Sequence, residues 1–248
     1  MNIYTEIVAA KKKGQKLLAV LIDPEKMKIG EVHSFIKLVN ASVATHIFVG
    51  GSTDVDHQIE HIVTEIKKYT ILPVILFPGD FSQVTTKADG VLFLSLISGR
   101  NSEYLITQQI AAVPKLKKSS LEVIPTGYLL IDGGIETSVQ RTSNTNPLPQ
   151  KDLTQILHTA LAGEYMGNKL IYLEAGSGAN IPVSPAIINA LSNELNDPLL
   201  VGGGIRTIGQ LNQAYEAGAD MVVIGTAFEQ NTAFFNELKK EITNENIR

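Results

Sequence analysis

The chain contains no cysteine and no tryptophan. Without thiols there is no disulfide, no thiolate nucleophile and no cysteine-ligated zinc. Positive charge is also short: 21 Lys and Arg stand against 25 Asp and Glu, a formal net charge of -4, with a pI near 5.8. No basic stripe is available to neutralise nucleic-acid phosphates, which argues against DNA and RNA as partners. The one lysine run, Lys11 to Lys13, reads as a solvated helix end. No apolar segment approaches the roughly 20 residues that span a bilayer. The opening MNIYTEIVAAKKKGQK carries an early acid and no sustained apolar core, unlike a signal peptide. The chain therefore reads as soluble and cytoplasmic. Its mean hydropathy of +0.10 is somewhat high for a soluble monomer and leans toward a homo-oligomer.

What the chain has is a series of short apolar, β-branched runs. They are LLAVLI (17–22), HIFVG (46–50), PVILF (73–77), GVLFLS (90–95), VIPTGYLLI (123–131), KLIYLE (169–174), PLLVG (198–202) and MVVIG (221–225). Near-continuous hydrophobicity marks strands covered on both faces, as in parallel sheets. Helical patterns separate most of them; in VDHQIEHIVTEIKKYT, Ile59, Ile62, Val63 and Ile66 recur at helical spacing. Eight such strands, with no linker and no change of composition, predict one (β/α)₈ TIM barrel over residues 1–248. A doubly wound sheet is the structural alternative. One connection breaks the pattern: PGDFSQVTTKAD (78–89) lacks an apolar helical stripe, so the third outer helix is predicted to be thin or missing. Such a gap would expose barrel wall to a long apolar ligand, or be a short loop and nothing more.

In barrels of this kind the chemistry lies at the C-terminal ends of the strands. The seventh run ends in three glycines, Gly202 to Gly204, directly before IR and a helical pattern. Glycines inside an element cost roughly 0.5–1 kcal/mol each relative to alanine, so three together need a reason. GGGIR followed by GADMVVIGT forms the phosphate-binding pair of many barrels, with Gly203, Gly204, Gly225 and Thr226 as backbone donors to an anion. Asp23 and Ser52 end neighbouring strands. A carboxylate and a hydroxyl suit Mg²⁺, a hard cation that keeps waters and takes phosphate oxygens; Asp23-Pro24 reads equally well as a helix cap. Glu174 ends an apolar strand beside small residues and is a candidate to accept a proton from a substrate hydroxyl. HQIEH (57–61) fits a metalloprotease spelling, but His57 and His61 point away from the isoleucine stripe and read as a solvated helix face.

With those residues in place, the chain resembles the geranylgeranylglyceryl phosphate synthase family of prenyl-transferring (β/α)₈ barrels. The matching segments are LLAVLIDPEK, HIFVGGSTDVDH, PVILFPGD, FLSLISGRN, PTGYLLIDGG, IYLEAGSGA, VGGGIRT and ADMVVIGTAF, spanning residues 17 to 229 in family order. The resemblance implies that sn-glycerol 1-phosphate is joined to a prenyl diphosphate through an ether bond, with diphosphate released. It implies that Asp23 and Ser52 hold Mg²⁺ against the diphosphate. It further implies that Tyr172, Leu173, Glu174, Ala175, Gly176, Ser177 and Gly178, with Gly203, Gly204, Gly225 and Thr226, hold the glycerol phosphate, and that Glu174 takes the hydroxyl proton. The family's altered third helix agrees with the thin connection. One departure is Leu21, where some members carry a lysine; it leaves Arg100 and Arg141 as alternative diphosphate contacts. The competing readings are a sugar-phosphate isomerase of the histidine-biosynthesis type, using Asp23 and Asp132 as acid and base, and a non-catalytic phosphate-ligand barrel.

Overall fold

A computed structural model describes residues 2–51, 58–230, 234 and 238. Its strands are β1 (Leu17–Ile22), β2 (His46–Val49), β3 (Val74–Leu76), β4 (Gly90–Leu96), β5 (Glu122–Leu130), β6 (Leu170–Glu174), β7 (Leu199–Gly202) and β8 (Met221–Ile224). They close in sequence order into one parallel barrel, with β1 pairing both β2 and β8. The helices are α1 (Ile3–Lys12), α2 (Ile29–Asn40), α3 (Ile59–Ile66), α4 (Gln108–Leu116), α5 (Ser138–Ser143), α6 (Leu153–Tyr165), α7 (Pro185–Glu194), α8 (Ile208–Glu216) and α9 (Thr226–Gln230). Each predicted strand is found within about two residues of its expected limits.

Successive side chains of a strand point to opposite faces, and here both faces are dry. Leu18, Val20 and Ile22 of β1 pack outward against helices. Leu17 and Ala19 pack inward with Phe48, Ile75, Leu92 and Tyr172. That double burial is why the strands read as unbroken apolar runs. The base of the interior is closed by α1, whose Ile3 and Ile7 join the inner cluster. The Ile3 and Tyr4 amides donate to the Glu122 carboxylate at 2.5 and 2.8 Å. This placement corrects the reading of the lysine run. Lys12 and Lys13 are exposed, but Lys11 pairs with Asp220 at 2.9 Å because α1 lies across the acid that opens β8.

The wall is weakest between β3 and β4. Only two residue pairs join these strands, Ile75↔Gly90 and Leu76↔Val91, whereas β4 and β5 share seven. The connection between them holds a single 3₁₀ turn, Phe81–Gln83. The thin third helix expected from the sequence is therefore present as this turn. Among the described residues no helix is long and apolar enough to cross a membrane.

Candidate active site

The alternation along β6 sets the chemistry of its end. Leu173 faces the outer helices, while Tyr172 and Glu174 face inward. The Tyr172 hydroxyl donates to Glu174 Oε2 at 2.7 Å, and the Gly176 amide donates to Oε1 at 2.7 Å. Glu174 is only 6% exposed. Burial disfavours its charged form and raises its pKa above the ordinary carboxylate value, while the two hydrogen bonds pull in the other direction. Burial likewise pushes the Tyr172 hydroxyl well up, aided by the negative charge of Glu174. Tyr172 therefore remains a donor, and the carboxylate is fixed from below.

The glycines after β7 are explained by this acid. A Cβ on Gly202 would lie 2.7 Å from Glu174 Oε2 and collide with the Tyr172 hydroxyl; one on Gly203 would lie 2.6 Å from the Gly176 amide nitrogen and collide with Glu174 Oε1. Gly203 also has φ +82, a conformation other residues adopt only with strain. The β7 backbone thus presses directly on the carboxylate. The amides of Ser177, Gly178, Gly203 and Gly204 donate to no acceptor among the described residues, which leaves a rim of free N–H groups beside Glu174. The Ser177 and Thr226 hydroxyls meet at 3.2 Å and draw the ends of β6 and β8 together. Gly225 sits against β1, where a Cβ would lie 3.3 Å from the Leu21 carbonyl oxygen.

Across the rim, Asp23 follows β1. Its Oδ2 receives Lys26 Nζ at 3.1 Å, and its Oδ1 accepts the Glu25 amide at 3.1 Å. It therefore both caps its local turn and faces a cation. The backbone at Gly51 lies beside it, with a Cβ there only 3.3 Å from Asp23 Oδ1. The end of β2 is thus close to the carboxylate, as the pairing of neighbouring strands requires. Ser52 and His57 lie outside the described residues; His61 is exposed on α3, as expected for a solvated face.

Where β3 and β4 part, an apolar groove runs from the rim through the wall. Gly51, Phe77, Leu92, Leu94, Tyr128 and Ala112 contribute to its lining. The rings of Phe77, Tyr128 and Tyr172 form a cluster with centroids 5.5 to 6.1 Å apart, linking the groove to Glu174. Tyr104, in a π-helical turn before α4, also lines the groove and donates its hydroxyl to the Thr142 carbonyl at 3.2 Å.

The predicted residues therefore fall into distinct positions. Gly176, Ser177, Gly178, Gly203, Gly204, Gly225 and Thr226 gather at the rim of β6 to β8. Tyr172 and Leu173 are fully buried and support the rim without facing it. Ala175, also buried, contributes backbone, its amide donating to the Gly202 carbonyl at 3.0 Å. Arg100 folds onto the Gly99 carbonyl at 2.6 Å, and Arg141 pairs with Glu136 at 3.3 Å; both are exposed. Asp132 accepts the Gly134 amide at 2.9 Å and caps its own turn. Two further residues near the rim were given no role by the sequence. Gln83 is fully buried in the 3₁₀ turn and donates to the Gly51 carbonyl at 3.1 Å; nothing in its spacing marks it. Arg206 was visible as the arginine closing GGGIR.

A closed parallel barrel with a buried acid at the C-terminal ends of its strands and an apolar groove beside it has the architecture of the barrel enzymes, whose active sites lie at that rim. The PcrB family model matches residues 10–245. The chain belongs to the PcrB family. It is 59% identical over 228 residues to the geranylgeranylglyceryl phosphate synthase of Zunongwangia profunda, covering 92% of this chain and 97% of that one. It is 38% identical over 231 residues to the protein of the same name from Thermococcus gammatolerans, covering 93% and 91%. The crystal structure of (S)-3-O-geranylgeranylglyceryl phosphate synthase from Thermoplasma acidophilum, in complex with its substrate sn-glycerol-1-phosphate, superimposes with a TM-score of 0.91 at 33% identity over 98% of both chains.

Proposed function

We propose that this protein is a prenyltransferase that joins sn-glycerol 1-phosphate to geranylgeranyl diphosphate, or another long prenyl diphosphate, through an ether bond. The observation that carries this reading is the juxtaposition at the rim: a buried, hydrogen-bonded Glu174 next to free backbone amides, with an apolar groove leading away from it. Amides aimed at an anion suit the phosphate end of glycerol phosphate. The groove suits an isoprenoid chain.

In the reaction, a glycerol hydroxyl oxygen bonds to C1 of the prenyl chain. The C1–O bond to diphosphate breaks, and its electron pair leaves with the diphosphate. The hydroxyl proton passes to Glu174. A raised carboxylate pKa brings this base closer to the operating pH, which favours proton transfer. Tyr172 and the Gly176 amide hold both carboxylate oxygens in place while this happens. The apolar walls exclude water, which would otherwise consume the reactive carbon.

Asp23 is the residue proposed to hold Mg²⁺, with Ser52 its proposed companion. The observed chemistry at Asp23 fits: its Oδ2 already faces a cation, the Lys26 ammonium. The ion would be bound by this carboxylate, water and substrate oxygens. Bound there, Mg²⁺ supplies charge neutralisation to the departing diphosphate. A cytoplasmic, homo-oligomeric protein remains the reading carried from composition; light scattering of the purified chain tests the assembly.

The function is tested by incubating the protein with Mg²⁺, sn-glycerol 1-phosphate and radiolabelled geranylgeranyl diphosphate, then extracting with solvent. Label in a phosphatase-sensitive lipid is the expected result. Label recovered only as unreacted prenyl diphosphate or free prenyl alcohol would refute the transfer.

A further inference from the structure

We infer that Arg206 is a positioning residue for the anion rim, holding the loops after β6 and β7 in one arrangement so that glycerol phosphate binds. The inference rests on the glycerol phosphate reading above. It does not concern proton transfer, which is assigned to Glu174.

The geometry is that of a staple. Arg206 Nη1 donates to the Ala179 carbonyl at 2.7 Å and Nη2 to the Gly178 carbonyl at 2.9 Å, both on the loop after β6. Nη1 also reaches the Gly204 carbonyl at 3.4 Å, on the loop after β7. One guanidinium therefore spans the two loops that carry the free amides. Its own backbone is anchored in turn. The Arg206 and Thr207 amides both donate to Gln210 Oε1, at 2.8 and 3.2 Å, within the capping box that opens α8. The fork of donors on a planar guanidinium suits two adjacent carbonyls in a way a lysine ammonium does not.

Two physical consequences follow. Gly178 and Gly204 both have positive φ, +75 and +73, and glycine loops lose much conformational freedom on ordering. With Arg206 in place that entropy is lost on folding and not on ligand binding, which strengthens binding. The guanidinium also makes no ion pair among the described residues. Among those residues its donors meet only carbonyls, which places an unpaired positive charge at the edge of the rim.

The test uses Arg206→Ala and Arg206→Lys in the full chain. Binding of sn-glycerol 1-phosphate and of inorganic phosphate is measured by calorimetry, together with kcat and KM. For Arg206→Ala, Kd for glycerol phosphate is expected to rise at least tenfold, KM to follow it, and kcat at saturation to fall less than threefold. Arg206→Lys keeps the charge but not the fork and is expected to fall between the native protein and Arg206→Ala. Millimolar guanidinium is expected to restore part of the lost affinity in Arg206→Ala, an effect that a purely structural defect would not show. Unchanged Kd in either folded variant overturns the inference while leaving the transferase reading intact. Loss of kcat with unchanged Kd likewise overturns it. A native protein that binds neither anion overturns both; one that binds inorganic phosphate in an Arg206-dependent manner but not glycerol phosphate supports the staple and refutes the substrate.

Discussion

The Tyr172 hydroxyl and Glu174 Oε2 are 2.7 Å apart inside a closed barrel, two residues apart on one strand and on the same face of it. The tyrosine stabilises the charged form of the acid and so limits how far burial raises the carboxylate pKa. Tyr172→Phe removes that donor. Without it, burial acts on the carboxylate with one fewer opposing hydrogen bond. The acid limb of the kcat/KM profile is expected to move to higher pH in Tyr172→Phe. An unmoved limb contradicts the assignment of this carboxylate as the titrating base.

Gly203→Ala sets a methyl group against the Gly176 amide at 2.6 Å and against Glu174 Oε1, at φ +82. Gly167→Ala imposes similar backbone strain, φ +96, at the end of α6, where a Cβ would meet nothing within 4 Å. Gly167→Ala is expected to cost about 1–2 kcal/mol and to leave turnover unchanged. Gly203→Ala is expected to cost more, about 3 kcal/mol, and to lose turnover. Urea midpoints and initial rates decide it; equal effects at the two sites would show that close packing on Glu174 is not what requires Gly203.

His46 opens β2 with its ring buried and, among the described residues, Nε2 without a hydrogen-bond partner. Burial lowers its pKa from 6.5 to about 4. The folded chain therefore gives up a proton that the unfolded chain keeps, so the contribution to stability is full above pH 6.5 and is lost as pH falls toward 4. The loss amounts to about 3 kcal/mol. In His46→Leu the fall in urea midpoint between pH 7 and pH 4.5 is expected to be smaller than in the native protein; an identical fall contradicts the buried neutral ring.

Much of this was legible in the residues, for identifiable reasons. Strands buried on both faces must be apolar throughout, so LLAVLI and MVVIG announce themselves without alternation. The thin connection after β3 was legible because residues 78–89 carry no stripe to bury, and the groove lies where that stripe would have packed. What did not show was the facing of neighbours on one strand. Tyr172, Leu173 and Glu174 are equally placed by motif, yet one supports the acid from below, one packs against helices and one is the acid. The role of α1 as the floor of the barrel was equally hidden, because Ile3 and Ile7 gain meaning only from the strands above them. Gln83 needed coordinates for the same reason: its partner, Gly51, lies 32 residues away.

Asp23→Asn keeps the side-chain shape and removes the charge that faces Lys26. If this carboxylate holds the divalent ion, turnover at ordinary Mg²⁺ is expected to fall by about a hundredfold or more. The Mg²⁺ concentration for half-maximal rate in the residual activity is expected to rise. Full activity at unchanged Mg²⁺ dependence refutes the metal role.

The central claim is that Glu174 accepts the proton of the attacking hydroxyl, and Glu174→Gln tests it most directly. The substitution keeps volume and can keep the hydrogen bonds of the rim while abolishing the base. Turnover and sn-glycerol 1-phosphate affinity are measured on the same preparation. The predicted result is a kcat lower by about 10² to 10⁴-fold with Kd changed only a few-fold; a kcat equal to that of the native protein would contradict the account.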